Sequence, residues 1–168
     1  MKNTPLMAVL VLSLALAQTG CQPDETSTDN DEPATAINTD VGTCAACGMV
    51  MREQPAPRGQ VIHRDGTRAF MCSIDDLVQY LDIPSPHGKA AKIYAEVLPD
   101  DHSPQDMERA WQPWFEAAEV FFVIGIERVG VMGEPVMTFR TRAAAEKATA
   151  KSGGEVVSFE QLRQANRD

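Results

Sequence analysis

Asp65-Gly66, set between the runs 60–64 and 67–71, narrows the fold more than any other feature of this 168-residue chain. An Asp-Gly pair tolerates the positive backbone angles of a two-residue hairpin, and both flanking runs carry apolar and β-branched residues, so two antiparallel strands are predicted. Ser73 with Asp76 three residues later marks a helix start, and the helix should run to about Leu81. Ile83-Pro84-Ser85-Pro86-His87-Gly88 ends it, and 92–98 alternates as a strand does. The result is a strand-strand-helix-strand unit.

The same order recurs downstream. An apolar run at 120–126, the turn Gly130-Val131-Met132-Gly133-Glu134-Pro135, and a strand at 136–139 precede Thr141, which caps an Ala-rich helix from Arg142 to about Lys151. Gly153-Gly154 stops that helix, and 155–159 closes as a strand. Phe70 and Phe139 hold equivalent places before the two helix caps. The expected class is α+β: two related strand-strand-helix-strand subdomains with short antiparallel sheets, spanning 44–103 and 104–168 and connected through 100–114.

What precedes residue 44 has no core to bury. Leu6 to Ala17 is an apolar run too short to span a bilayer, which takes about twenty residues, and Lys2 lies before it, so 1–20 reads as a signal peptide. Gly20 before Cys21 matches the bacterial lipoprotein pattern, in which the Cys is acylated, although Gln18 stands where an aliphatic residue is usual; an ordinary cleaved signal is the plainer alternative. Residues 21–43 read as a lipid-anchored acidic linker. Lys2 is the sole charge in 1–20 and residues 22–40 hold six acids and no base, so 41–168 carries only -4 of the formal -9. The acidity is mostly the linker's, and no basic face for nucleic acid is in sight.

Chemistry concentrates in sulfur. With Cys21 set aside, Cys44, Cys47 and Cys72 form an odd set. Cys44-Ala45-Ala46-Cys47 by itself fits a thiol-disulfide pair, part of a structural zinc site with Cys72 (and His63 as a fourth ligand), a plain disulfide, or a soft-metal site. Cys47, Met49 and Met51 would share one face if the segment is extended. Thioethers beside a thiolate favour copper(I) over zinc. Cys72 falls at the start of the first helix, where the dipole favours a thiolate. Met71 adds a further sulfur beside Cys72, though it, Met49 and Met51 could equally fill a core; Met132 lies at a turn with few packing partners, whereas Met137 suits a core. His63 reads as an exposed strand residue, His87 and His102 as solvated, and Asp75 and Asp76 as helix-start charges. No phosphate loop, no Ser-His-Asp pattern and no spaced acid pair is present.

These residues resemble the NosL family, copper-binding lipoproteins that accompany nitrous oxide reductase. The resemblance rests on Cys44-Ala45-Ala46-Cys47-Gly48-Met49, Pro57-Arg58-Gly59-Gln60, Phe70-Met71-Cys72-Ser73 with Asp76-Leu77, Trp114 with Ala117, Met132-Gly133, Phe139 and Gly153-Gly154. It implies a periplasm-facing, lipid-anchored, non-enzymatic carrier that binds copper(I) and delivers it to nitrous oxide reductase or its assembly machinery. The family's Cys-Gly-Met falls on Cys47, Gly48 and Met49, and its Pro-Met-Gly on Val131-Met132-Gly133, with the Pro replaced. The expected ligands are Cys47 and Met49, completed from Cys44, Met132, Cys72 and Met51. A lipid on Cys21 predicts that the full chain partitions into detergent-solubilised membranes and that Cys21→Ser moves it out of them, read by fractionation and intact mass.

Overall fold

The computed structural model describes residues 35–131 and 133–167, so the signal peptide, Cys21, most of the acidic linker and Met132 lie outside the described residues. Residues 33–168 group as one compact unit. Among the described residues no helix is long and apolar enough to cross a membrane.

The hairpin forms where Asp65-Gly66 places it: β1 (Gly59–His63) pairs antiparallel with β2 (Arg68–Met71). Ser73 caps α1 (Ile74–Asp82), its side chain accepting from the Asp76 backbone N–H at 3.0 Å. β3 (Ala90–Glu96) returns along the other side of β1. The second unit repeats the plan with β5 (Phe121–Ile124), β6 (Met137–Phe139), α2 (Arg142–Ser152) and β7 (Glu155–Val157). With β4 (Trp114–Glu116), the sheets are ordered β2-β1-β3-β4 and β6-β5-β7, so in each unit the first strand is central and its partners are antiparallel.

Three elements differ from the sequence expectation. Trp114–Glu116 forms β4 on the edge of the first sheet, within what reads as the connection between units. The expected strand 155–159 ends at Val157, because Ser158 and Gln161 make a capping box that opens α3 (Phe159–Ala165). Residues 35–43 do not hang free. The buried side chain of Gln60 exchanges two hydrogen bonds with the Ile37 backbone, and Trp114 donates to Asn38 Oδ1 at 2.8 Å. Short polar residues leave the backbone available for such capture, which composition alone does not reveal.

One core serves both units. Val61, Met71, Leu77 and Ala95 pack in the same cluster as Phe122, Val157, Phe159 and Leu162. A second cluster lies between β5, β6 and α2, where Val123, Met137 and Phe139 meet Ala144, Ala145 and Ala148. The alanines allow α2 to approach the sheet closely. Leu98, just past β3, donates its N–H to the Thr138 carbonyl at 3.0 Å and so ties the first unit to β6. Met137 is core, as its position suggests, and Met71, which the sequence leaves open between ligand and core, is buried in the core as well.

The opposite face of the first sheet carries a buried ion pair. Arg58 Nε and Nη2 donate to the two carboxylate oxygens of Glu96 at 2.6 and 2.7 Å, and neither side chain is exposed. Nη1 and Nη2 also donate to the carbonyls of Met51, Gln54, Arg109 and Ala110, and the guanidinium stacks 3.9 Å from the Trp111 ring centroid. Removing one partner leaves the other charge buried and unpaired. Arg58→Met is therefore expected to lower unfolding free energy by about 3–5 kcal/mol, and the double variant Arg58→Met, Glu96→Leu to recover most of it, measured by urea denaturation.

Candidate metal centre

The chain bends into a tight hairpin after the Gln60-bound segment. Cys44 bridges to Phe70 of β2, and its N–H and C=O bond Met49 O and Gly48 N–H, each at 2.8 Å. Residues 45–47 form the turn, and Gly48 has φ +77°, a conformation costly for residues with a Cβ. On the other side of the site, Cys72 follows β2 and directly precedes the cap of α1. Gly59, opposite Met71 in the β1–β2 register, keeps the start of α1 close: a Cβ there would come within 2.8 Å of Leu77 Cβ.

These two pieces bring Cys44, Cys47 and Cys72 together with a fourth group, Asp76. One donor atom from each lies within 4.8 Å of all the others. Cys47 Sγ is 3.5 Å from Cys72 Sγ, Cys72 Sγ donates to Asp76 Oδ2 at 3.0 Å, and Cys44 Sγ is 3.5 Å from the same oxygen. Donors about 2.3 Å from one cation, at trigonal to tetrahedral angles, stand about 3.8–4.0 Å apart, so side-chain rotation alone would let these groups share an ion. Cys44 and Cys72 are buried and Cys47 is exposed, which leaves the cluster reachable from one side.

The environment separates the sulfurs. The hydrogen-bonding interaction with the Cys72 side chain, whose single proton Cys44 and Asp76 compete for, is the main force lowering the Cys44 pKa, to about 5; backbone N–H groups of Cys72, Cys47 and Ala46 add to it against the cost of burial. The Cys72 N–H reaches Cys44 Sγ at 3.3 Å. Cys72 is pushed far up by its bond to Cys44, by burial and by Asp76. Cys44 is thus the resident thiolate and Cys72 holds the proton.

The methionines sort differently from the extended-strand expectation. Gly48 turns the chain and Met51–Glu53 coils into a 3-10 turn, so Cys47, Met49 and Met51 do not share a strand face. Met49 is half-buried and packs against the cluster of Cys44, Met51 and Cys72; Met51 is fully buried within it. Met132 lies outside the described residues, but its loop reaches the site: Gly133 lies against the Asp75 carboxylate, which accepts the Glu134 N–H, and Val131 lines a small cleft with Cys72.

His63 is buried, not exposed, and takes no part. It lies at the opposite end of β1 from the cysteines, its ring nitrogens bonded to Gly88 O at 2.9 Å and the Tyr80 hydroxyl at 2.8 Å. Asp76, which reads from sequence as a helix-start charge, is the residue that reasoning misses. The available signal is the spacing Cys72-x3-Asp76 across the Ser73 cap, because a residue in the first turn reaches back past the N-cap. Nor does the Cys44–Cys47 pair open a helix, as redox pairs of that spacing do; it brackets a turn.

The family model NosL matches residues 35–166. A protein named copper-binding lipoprotein NosL, from Stutzerimonas stutzeri, is 29% identical over 166 residues, covering 95% of this chain and 80% of that protein. The crystal structure of the copper chaperone NosL from Shewanella denitrificans superimposes with a TM-score of 0.63 at 28% identity, over 79% of this chain and 97% of that one.

A Cys44 pKa near 5 fixes a pH signature. Between about 5 and the ordinary thiol value the unfolded chain binds the extra proton, so Cys44 makes stability rise with pH over that window and removes the gain on acidification. Above the ordinary value Cys72 reverses the sign, because the folded state retains its proton. Thiolate absorbance near 240 nm in the metal-free chain should show one thiolate titrating near pH 5, and Cys44→Ser should abolish it.

Proposed function

The chain belongs to the NosL family, and from that premise we propose that it is a copper(I) carrier, lipid-anchored through Cys21 on the periplasmic side of a bacterial membrane, that delivers copper for the copper centres of nitrous oxide reductase. The observation that carries the reading is the convergence of Cys44, Cys47 and Cys72 within 4.8 Å, with the half-buried Met49 packed against the cluster of Cys44, Met51 and Cys72. Thiolate and thioether donors suit copper(I). Cys47 and Met49 receive the ion from the open side, with Cys44 as the preformed thiolate. Cys72 and Met132 complete the set, and Met51 supports it from the buried side. Cys72 must release its proton on binding, so uptake weakens in acid.

An accessible donor at Cys47 lets a recipient's ligand join the ion before the carrier's last bond breaks, which is what transfer without free copper requires. A tether from Cys21 confines the search for a recipient to the membrane surface and raises effective concentration. Uptake and hand-over of an ion require no catalytic step. The second reading, a structural zinc site, draws on Asp76: three cysteines and a carboxylate form a donor set that zinc accepts.

Anaerobic titration with copper(I) against a chromophoric chelator separates the readings. Tight uptake that Cys47→Ser and Met49→Leu each weaken by roughly tenfold or more is expected, with zinc unable to displace copper. Uptake unaffected by both variants, or preferential zinc retention, overturns the carrier site. Transfer to metal-free nitrous oxide reductase should outpace release to an equal concentration of chelator.

A further inference from the structure

The three cysteines differ in a way that a carrier site does not by itself explain. Cys47 lies exposed on the hairpin turn, while Cys72 is buried at the cap of α1, and their sulfurs are 3.5 Å apart although 25 residues separate them in sequence. Cys44 is committed elsewhere: its backbone bridges Phe70 and its sulfur accepts the Cys72 N–H. The turn between Cys44 and Cys47 is held by two backbone hydrogen bonds. The sulfur an external reagent can reach therefore faces Cys72, 3.5 Å away, across a gap that a bond of about 2.05 Å can close by side-chain rotation and slight movement of the turn.

We propose that Cys47 and Cys72 form a reversible disulfide that closes the metal site, so that the carrier loads only in its dithiol state. The inference rests on the carrier reading and adds its redox control. The oxidant is an external disulfide, small or protein-borne. Cys47 thiolate attacks one of its sulfurs, forming a mixed disulfide and expelling the first thiolate. Cys72 then attacks Cys47 Sγ, giving up its proton through the neighbouring Cys44 thiolate to the released thiolate as the internal bond forms and the second thiol is expelled. The chain loses two electrons, the oxidant gains two, and the protons of Cys47 and Cys72 end on the two released thiols. The oxidised site keeps only Cys44 as a thiolate, and the accessible ligand Cys47 is lost. Bound copper in turn occupies Cys47 and shifts the equilibrium toward the dithiol state, as linkage requires.

Cleavage after Arg52 and Arg68 puts Cys44 and Cys47 on one fragment and Cys72 on another, so the test is direct. The full metal-free chain is equilibrated with oxidised glutathione, quenched, digested and mapped by mass. Joined fragments are expected in the native chain and in Cys44→Ser, and separate fragments in Cys47→Ser. A bond closed within the first fragment, a join that survives Cys47→Ser but not Cys44→Ser, or a chain that stays reduced overturns the proposal. Copper(I) titration of the oxidised chain should show affinity at least roughly tenfold weaker, restored by dithiothreitol. Equal affinity in both states overturns the switch and leaves the carrier standing. A reduced chain that takes up no copper(I) defeats the carrier reading, while the fragment map, made without metal, still decides the disulfide.

Discussion

The ion pair between Arg58 and Glu96 is the constraint on which the rest of the structure depends. Both charges are removed from water, which costs several kcal/mol per ion unless every donor finds a partner, and here the guanidinium meets Glu96, four backbone carbonyls and the face of Trp111. Those partners come from four separate places: the 3-10 turn after the metal hairpin, the Gln54 loop, the 109–111 stretch and β3. A guanidinium donates to the carboxylate and to all four carbonyls at once, which a neutral side chain cannot do. By fixing Met51, the pair sets the floor against which Cys44 and Cys72 pack.

The candidate metal site is an intersection of two local structures, each modest alone. A hairpin turn presents Cys44 and Cys47, and a capped helix presents Cys72 and Asp76. Their meeting depends on Cys44 bridging to Phe70, two residues before Cys72, and on Gly59 admitting Leu77 at close range. The first-turn carboxylate accepts from the preceding thiol, and the Cys72 side chain and N–H draw the Cys44 pKa down. A gradient follows from the exposed Cys47 inward to the buried Cys44 and Cys72. Such a gradient is what the proposed carrier role needs of an ion that must arrive and leave, and what the proposed disulfide needs of its first thiol.

The two halves show how a repeated plan is put to different uses. Each sheet places its first strand centrally, yet only the first unit adds an edge strand and a buried ion pair, and only the second adds a terminal helix. The second unit contributes no cysteine. Its contributions are packing, through Phe122, Phe159 and Leu162 in the shared core, and the loop that carries Gly133 against Asp75.

Much of the fold was legible in the sequence because its signals are local. Asp65-Gly66, Ser73, Thr141 and Gly153-Gly154 act through the backbone within a few residues, and each acts where expected. Misses arise where a distant partner decides. Residues 35–43 are ordered by Gln60 and Trp114, the edge strand β4 by β3, and His63 is buried by contacts with Gly88 and Tyr80. The sequence by itself determined the repeated unit, the sulfur-rich motif and the family resemblance, since these lie in residue type and spacing. Only the tertiary structure decided that Cys44, Cys47 and Cys72 meet, that Asp76 joins them in place of His63, and that the proton stays on Cys72. Those outcomes depend on distances across a folded sheet and on hydrogen bonds to groups far along the chain, and spacing along the chain carries no information about either.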